Sequence, residues 1–214
     1  MLQIIITRHG ETDWNVQKIF RGHADIDLNL NGRKQAELLA QYLKDMKFDA
    51  IYTSPLERAL RTAQIVAEQQ HRLRLETDLD LVDFDYGEWQ GVAEEDVKKK
   101  YAELYDRWQK EPFRVKMPGG ESLNEVKKRV QRALNQITAE YESGTVLIVS
   151  HRIVMKVLIL SLLGLELSRM ANIKLDACGL TIFNYEKATS RFIMTRFNET
   201  CFLNSLKKSP AEDI

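Results

Sequence analysis

The chain opens on LQIIIT, positions 2–7, β-branched and almost unbroken in apolar character. So short a continuous run reads as a strand buried on both faces, the habit of a parallel sheet. TVLIVS, 145–150, repeats the pattern, and DAIYTS, 49–54, is a second strand of the same kind. Between these runs the apolar period lengthens to that of a helix. Gly32 to Met46 places Ala36, Leu39, Ala40 and Leu43 on one face. SPLERALRTAQIVAEQ, 54–69, does the same with Leu56, Ala59, Leu60, Ala63, Val66 and Ala67. Its start predicts Ser54 as the N-cap, Pro55 in the first helical position and Glu57 closing a capping box. Residues 73–76 are weakly strand-like. LDLVDFDYGEWQG, within 78–91, is acidic and broken by glycine, and is expected as loop. Helices are expected over about 94–110 and 122–142, the second with Ser122 and Glu125 as a capping box, and from about Arg152 to Leu163. Strand-like runs at 179–185 and 191–197 end the pattern, and KKSPAEDI reads as a disordered tail.

Strands and helices that alternate in this way predict an α/β protein: a three-layer α/β/α sandwich around a mainly parallel, mixed sheet. With no repeat and no Pro/Gly-rich linker, residues 1–205 are expected to form one domain, with 78–142 as a helical cap region within it and 206–214 as the tail. Lys plus Arg equals Asp plus Glu, 31 each, which argues against a nucleic-acid or membrane-surface binder while leaving room for a local anion pocket. The two cysteines form no C-x-x-C pair and no framework, which favours a reducing compartment. The most apolar run, Ile153 to Leu165, holds Lys156 and is too short to span a bilayer. A cytoplasmic protein is expected. A homodimer is one way to bury that run and the late strands; a single core is the other.

Three places share one arrangement. Arg8 and His9 follow the first strand, Arg58 lies in the first turn after the second, and His151 follows TVLIVS and opens a helix. Ligands of open α/β sheets bind outside the carboxyl ends of the strands, so all three should meet at one edge. Their chemistry suits a phosphoryl group. Arginine offers a fixed fork of donors to phosphate oxygens. Helix N-termini after Ser54 and Ser150 would point N–H groups at the same anion. A neutral histidine can attack phosphorus and carry the group covalently. Gly10 permits close backbone approach, and Asn15 offers a further donor. Arg58 has alternatives as a solvated helix residue or as an ion-pair partner of Glu57 or Glu121. His71 reads as a surface residue, and His23, beside Gly22, as a loop residue that reaches the pocket mouth. No compact His/Asp/Glu cluster at metal-ligand spacing stands out.

RHGETDWN, FRGHADIDLNLNGRKQA, TSPLERALRTA, PGGESLNEVKKRV and IVSHR, in that order, resemble the histidine phosphatase superfamily in its phosphoglycerate-mutase-like branch, over about residues 2–185. The resemblance implies that His9 is the nucleophile that becomes phosphohistidine. It further implies that Arg8, Arg58 and His151 form the phosphate pocket with Asn15 beside them, that Glu121 orients pocket residues from behind, and that neither metal nor organic cofactor is needed. The proton donor should come from LVDFDYGEWQG, with Asp83, Asp85 and Glu88 as candidates. The family's glutamate falls at Asp83, one methylene shorter and more acidic, which needs its pKa raised by burial and by the anionic substrate. Asp83 is the expected acid and Glu88 the reserve.

Two further departures bear on the substrate. Arg21, before Gly22, stands where the family often has Gln, and Arg152 where it often has Gly. Either they greet a second negative group such as a carboxylate, or they pair with loop acids such as Asp25 and Asp27. The expected partner is therefore a small, carboxylated phosphomonoester. Without the insertion that lengthens cofactor-dependent mutases, a phosphatase is expected, of the phosphoserine or α-ribazole phosphate type. A phosphoglycerate mutase and a binding protein that has lost the chemistry are the alternatives.

Overall fold

Residues 1–70 and 73–206 are described by the computed structural model. Among them, strands β1 (Leu2–Arg8), β2 (Ala50–Thr53), β3 (Arg74–Thr77), β4 (Gly144–Ser150), β5 (Leu180–Glu186) and β6 (Arg191–Glu199) form one sheet in the order β3-β2-β4-β1-β5-β6. The first four run parallel, and β5 and β6 are antiparallel to their neighbours. The helices are α1 (Asp13–Val16), α2 (Leu30–Leu43), α3 (Glu57–Ala67), α4 (Glu94–Lys100), α5 (Ala102–Lys110), α6 (Leu123–Glu140) and α7 (Arg152–Leu162). This is the α/β architecture expected from the alternation. His71 and the tail at 207–214 lie outside the described residues.

Side chains of a strand alternate between faces, and both faces here are covered. Ile4, Ile6, Val146 and Ile148 share a core with Val126 and Val130 of α6, Val154 and Leu158 of α7, and Phe84, Trp89 and Trp108. Ile5, Ile51 and Leu147 face the other way, onto Ala36, Leu39, Ala40 and Leu43 of α2 and Ala59, Ala63 and Val66 of α3. Full burial of each large aliphatic side chain is worth roughly 1.5–3 kcal/mol over leaving it exposed. That term holds the layers together, and with them the sheet edge that carries the site. No helix of the described residues is long and apolar enough to cross a membrane.

Two local expectations are corrected. Residues 94–110 form two helices, broken at Tyr101, whose backbone leaves the helical region at φ −126° and ψ 41°. The break lets the Tyr101 hydroxyl reach the Glu88 carboxylate at 2.8 Å. Ser54 does not cap α3. Its N–H extends the ladder to the Val149 carbonyl at 3.1 Å, and Leu56 is the N-cap residue, without a side-chain bond. The cap comes from a distant loop, since Asp25 Oδ1 accepts the Glu57 N–H at 2.7 Å. At α6 the Ser122/Glu125 capping box is present.

The register decides where the chemistry gathers. Arg8 pairs with Ser150, so His9 and His151 each leave the sheet one residue beyond paired strand ends. Thr53 of β2 pairs with Val149, which starts α3 at the same edge.

Candidate active site

His9 and His151 meet with ring centroids 5.2 Å apart. His9 Nδ1 lies 2.6 Å from the Gly10 carbonyl oxygen. A carbonyl only accepts, so Nδ1 carries the hydrogen and Nε2 keeps the lone pair. The turn is pinned from α3: Thr62 Oγ1 accepts the Gly10 N–H at 3.1 Å and donates to the Arg58 carbonyl at 2.8 Å. Gly10 is required by a neighbour, because a Cβ there would stand 2.4 Å from the Gly32 carbonyl oxygen.

Arg58 is fully buried. Nη1 donates to Ala24 O at 2.8 Å, and Nη2 donates to Gly22 O at 2.7 Å and to Asp83 Oδ2 at 2.9 Å. Its acidic partner is thus Asp83; Glu57 faces Arg61, and Glu121 is bound by Arg129. Gly22 has φ +49°, a region that favours glycine, and a Cβ would collide with Gln90 Oε1. Glycine at this position eases the folding of the loop carbonyls around Arg58.

Asp83 sits between the two arms of the site. Oδ2 is 3.6 Å from His151 Nδ1, and Oδ1 accepts the Phe84 N–H at 2.8 Å. Glu88 is exposed and occupied by Tyr101, while Asp85 accepts the Gly87 N–H at 2.8 Å. Of the three candidate acids, Asp83 is the one that joins the histidines.

Arg8, Arg21 and Arg152 are also buried. Arg8 Nη1 donates to Leu175 O at 2.9 Å, and Arg21 Nη1 to Trp14 O and Ile19 O. Arg152 hydrogen-bonds with Tyr86. Asp27 is paired with Arg33, and Asp25 caps α3, so these loop acids are engaged elsewhere. Asn15 Oδ1 is taken by the Thr12 N–H and hydroxyl, which leaves Nδ2 as its donor. Glu121 stands one step back. Thr62 and Arg129 escaped the sequence reading, yet both are polar residues set in the apolar stripes of α3 and α6, and that interruption was the available signal. Among the described residues no group of three or more His, Cys, Asp or Glu is placed to hold a metal ion.

The electrostatics follow from burial among guanidinium groups. Burial, then Arg58, His151 and Arg8, hold His9 well below the usual imidazole pKa. Burial, then Arg58, Arg129, Arg21 and Arg8, do the same to His151. Burial alone would push the Asp83 carboxyl up; Arg58, Arg21, His9 and the Phe84 N–H outweigh it and hold it below the usual value. The site thus departs from the raised pKa that a proton donor requires, because Arg58 pairs directly with the carboxylate. Burial, helped by Arg8 and Arg152 and opposed by Asp83, brings Arg21 down to about 9.

These directions set a pH dependence. An unfolded histidine takes up its proton near pH ~6.5, but native His9 and His151 do so only at lower pH. Where the unfolded chain binds more protons, stability rises with pH. The ligand-free protein should lose stability as pH falls from about 6.5 toward the native values, with Asp83 adding to the loss at lower pH. Thermal unfolding of the ligand-free chain is expected to show Tm falling between pH ~7.5 and ~5.5, and less so with inorganic phosphate present. A Tm that rises on acidification would contradict these shifts.

The chain is similar to known proteins over nearly its whole length. Residues 4–200 match the family model of the histidine phosphatase superfamily (branch 1). Phosphoserine phosphatase 1 of Hydrogenobacter thermophilus is 36% identical over 203 residues, 95% of each chain. YhfR of Bacillus stearothermophilus superposes with a TM-score of 0.90 at 27% identity, over 95% of this chain and 100% of that one. A phosphoserine phosphatase mutant from Entamoeba histolytica, crystallised with phosphoserine, superposes with a TM-score of 0.80 at 31% identity, over 95% and 100%.

Proposed function

This chain belongs to the histidine phosphatase superfamily and has phosphoserine phosphatases among its relatives, and from that premise we propose that it hydrolyses a small, carboxylated phosphomonoester through a phosphohistidine intermediate. The observation that carries the reading is His9 itself: a buried imidazole whose Nδ1–H is fixed on Gly10 O, with Arg58, Asp83 and His151 around it.

His9 Nε2 attacks phosphorus, and the bond to the leaving oxygen breaks. Arg8, Arg58 and His151 hold the phosphoryl oxygens, where fixed donors in a dry site stabilise developing charge. Asp83 gives its proton to the leaving oxygen. The same carboxylate then takes a proton from the water that attacks phosphohistidine, which releases phosphate and restores His9. The depressed Asp83 of the ligand-free site is reconciled with this role by the substrate. A dianionic phosphoryl group draws the Arg58 fork away from Asp83 and sets negative charge beside it; both changes favour the protonated acid. Asp83 thereby supports catalysis over a binding-only protein. No role in this scheme falls to a metal ion, and turnover should persist with a chelator present. The test is a denaturing alkaline quench of turnover with labelled phosphomonoester, which preserves phosphohistidine, followed by mapping of the acid-labile label.

Arg21 and Arg152 supply the second part of the reading. They lie close enough to each other and to Arg8 to depress Arg21, while Asp25 and Asp27 are held by other groups. A carboxylate beside the phosphoryl group, such as the one phosphoserine carries, would meet that charge. Arg152→Gly should raise KM for phosphoserine at least about tenfold, as expected for loss of a charge-assisted hydrogen bond, and leave KM for p-nitrophenyl phosphate near its starting value. Equal changes for both substrates would remove the carboxylate assignment.

A further inference from the structure

Arg129 is a buried arginine close enough to the site to depress His151, yet none of its donors is available to a phosphate. A guanidinium has five N–H donors. Nε donates to Glu121 Oε1 at 2.9 Å, and Nη2 to Glu121 Oε2 at 3.0 Å and to Asp83 O at 3.0 Å. Nη1 donates to Asp80 O at 2.8 Å and to Val82 O at 2.6 Å. Every donor is spent on Glu121 or on the backbone of one loop.

That loop has no ladder partner of its own. Residues 79–81 form a single 3-10 turn, and Asp83 follows in irregular backbone. Buried carbonyls must find donors, and here α6 provides them from one side chain. Glu121 closes the arrangement: its Oε2 accepts the Asp85 N–H at 3.0 Å, and its own N–H donates to Asp85 O at 2.9 Å. From the opposite side His23 Nε2 donates to Asp83 O at 2.9 Å, and Ser150 Oγ donates to Leu81 O at 2.7 Å. The Asp83 backbone is clamped between α6, β4 and the loop that wraps Arg58.

We infer that Arg129, held by Glu121, is a positioning residue for proton transfer: its planar fork fixes the backbone on either side of Asp83, so that a side chain as short as aspartate reaches the leaving oxygen. An aspartate has one torsion fewer than glutamate with which to correct a misplaced backbone, and a displacement of about 1 Å can cost on the order of 100-fold in rate. The inference rests on the reading of Asp83 as the proton donor, and the experiment separates the two.

Two substrates distinguish a misplaced acid from a damaged protein. An alkyl phosphomonoester such as phosphoserine needs its leaving oxygen protonated, whereas p-nitrophenolate departs as a stable anion. The ratio of kcat/KM for the two, taken on one preparation, is independent of how much of it is folded. Arg129→Lys keeps the charge but replaces the planar fork with a point charge that cannot serve three carbonyls and a carboxylate together. Its alkyl-to-aryl ratio should fall about 10-fold or more, and that of Asp83→Asn about 100-fold or more. Glu121→Gln should lower the ratio in the same direction and by less. If Arg129→Lys slows both substrates equally while Asp83→Asn keeps its selective loss, the positioning role fails and the acid assignment stands. If Asp83→Asn is itself unselective, the acid assignment fails and the positioning role falls with it.

Discussion

His9→Ala is expected to lower turnover of any phosphomonoester about 10⁴-fold or more and to leave no acid-labile phosphate on the protein. The size follows from the proposed chemistry: in that scheme His9 alone forms a bond to phosphorus, so its removal would abolish the first half-reaction. The fold should survive, since the His9 side chain makes one hydrogen bond, to the carbonyl of the next residue. Thr62 still holds the Gly10 N–H, and the His9 backbone N–H still bonds to Ser150 O. Substrate affinity should therefore change little while kcat collapses. The measurement is label held by the protein after a denaturing alkaline quench and lost on mild acid treatment, with the modified residue mapped in the unaltered chain. Turnover within about tenfold of the original, or label on another residue, would sink the assignment of His9 as nucleophile.

Arg58→Met should act on both catalysis and stability. Arg58 is expected to grip the phosphoryl oxygens in the transition state, and loss of one such charged donor typically costs about 10²–10³ in kcat. It also satisfies Gly22 O, Ala24 O and the Asp83 carboxylate from a fully buried position. Breaking a buried ion pair by removing one partner costs about 3–5 kcal/mol. For a chain of this size that is roughly a 6–20 °C fall in Tm. Asp83 would also titrate higher, since Arg58 is the strongest of the groups holding it down. Vanadate, an oxyanion of phosphate-like shape, should stabilise the unaltered protein and have little effect on the variant. A variant with unchanged Tm and unchanged response to vanadate would show that Arg58 neither braces the loop nor binds the oxyanion.

Much of this architecture is local, and local physics is written in the order of residues. LQIIIT and TVLIVS are too short and too evenly apolar to be anything but strands covered on both sides, and their neighbours carry helical periodicity. Parallel strands with helices between them place every strand's carboxyl end at the same edge, which brings His9, Arg58 and His151 together before any coordinates are known. Errors arose where a local rule competed with a distant partner. Ser54 has the capping sequence, but its backbone is drawn into the sheet and Asp25 supplies the cap. The periodicity of 94–110 hides a break at Tyr101, whose hydroxyl bonds to the distant Glu88.

By itself, then, the sequence determined the layer order, the edge at which chemistry gathers, and the identity of the histidines and Arg58, because periodicity and strand direction need only near neighbours. Tertiary structure alone decided that Asp83 pairs with Arg58, which nitrogen of His9 keeps its lone pair, and that Arg129 spends three donors on the Asp83 loop and two on Glu121. The reason is that hydrogen bonding and charge act through space. Asp83 and Glu88 are both carboxylates of one acidic stretch, and only the path of the folded backbone leaves one against a buried guanidinium and the other in solvent.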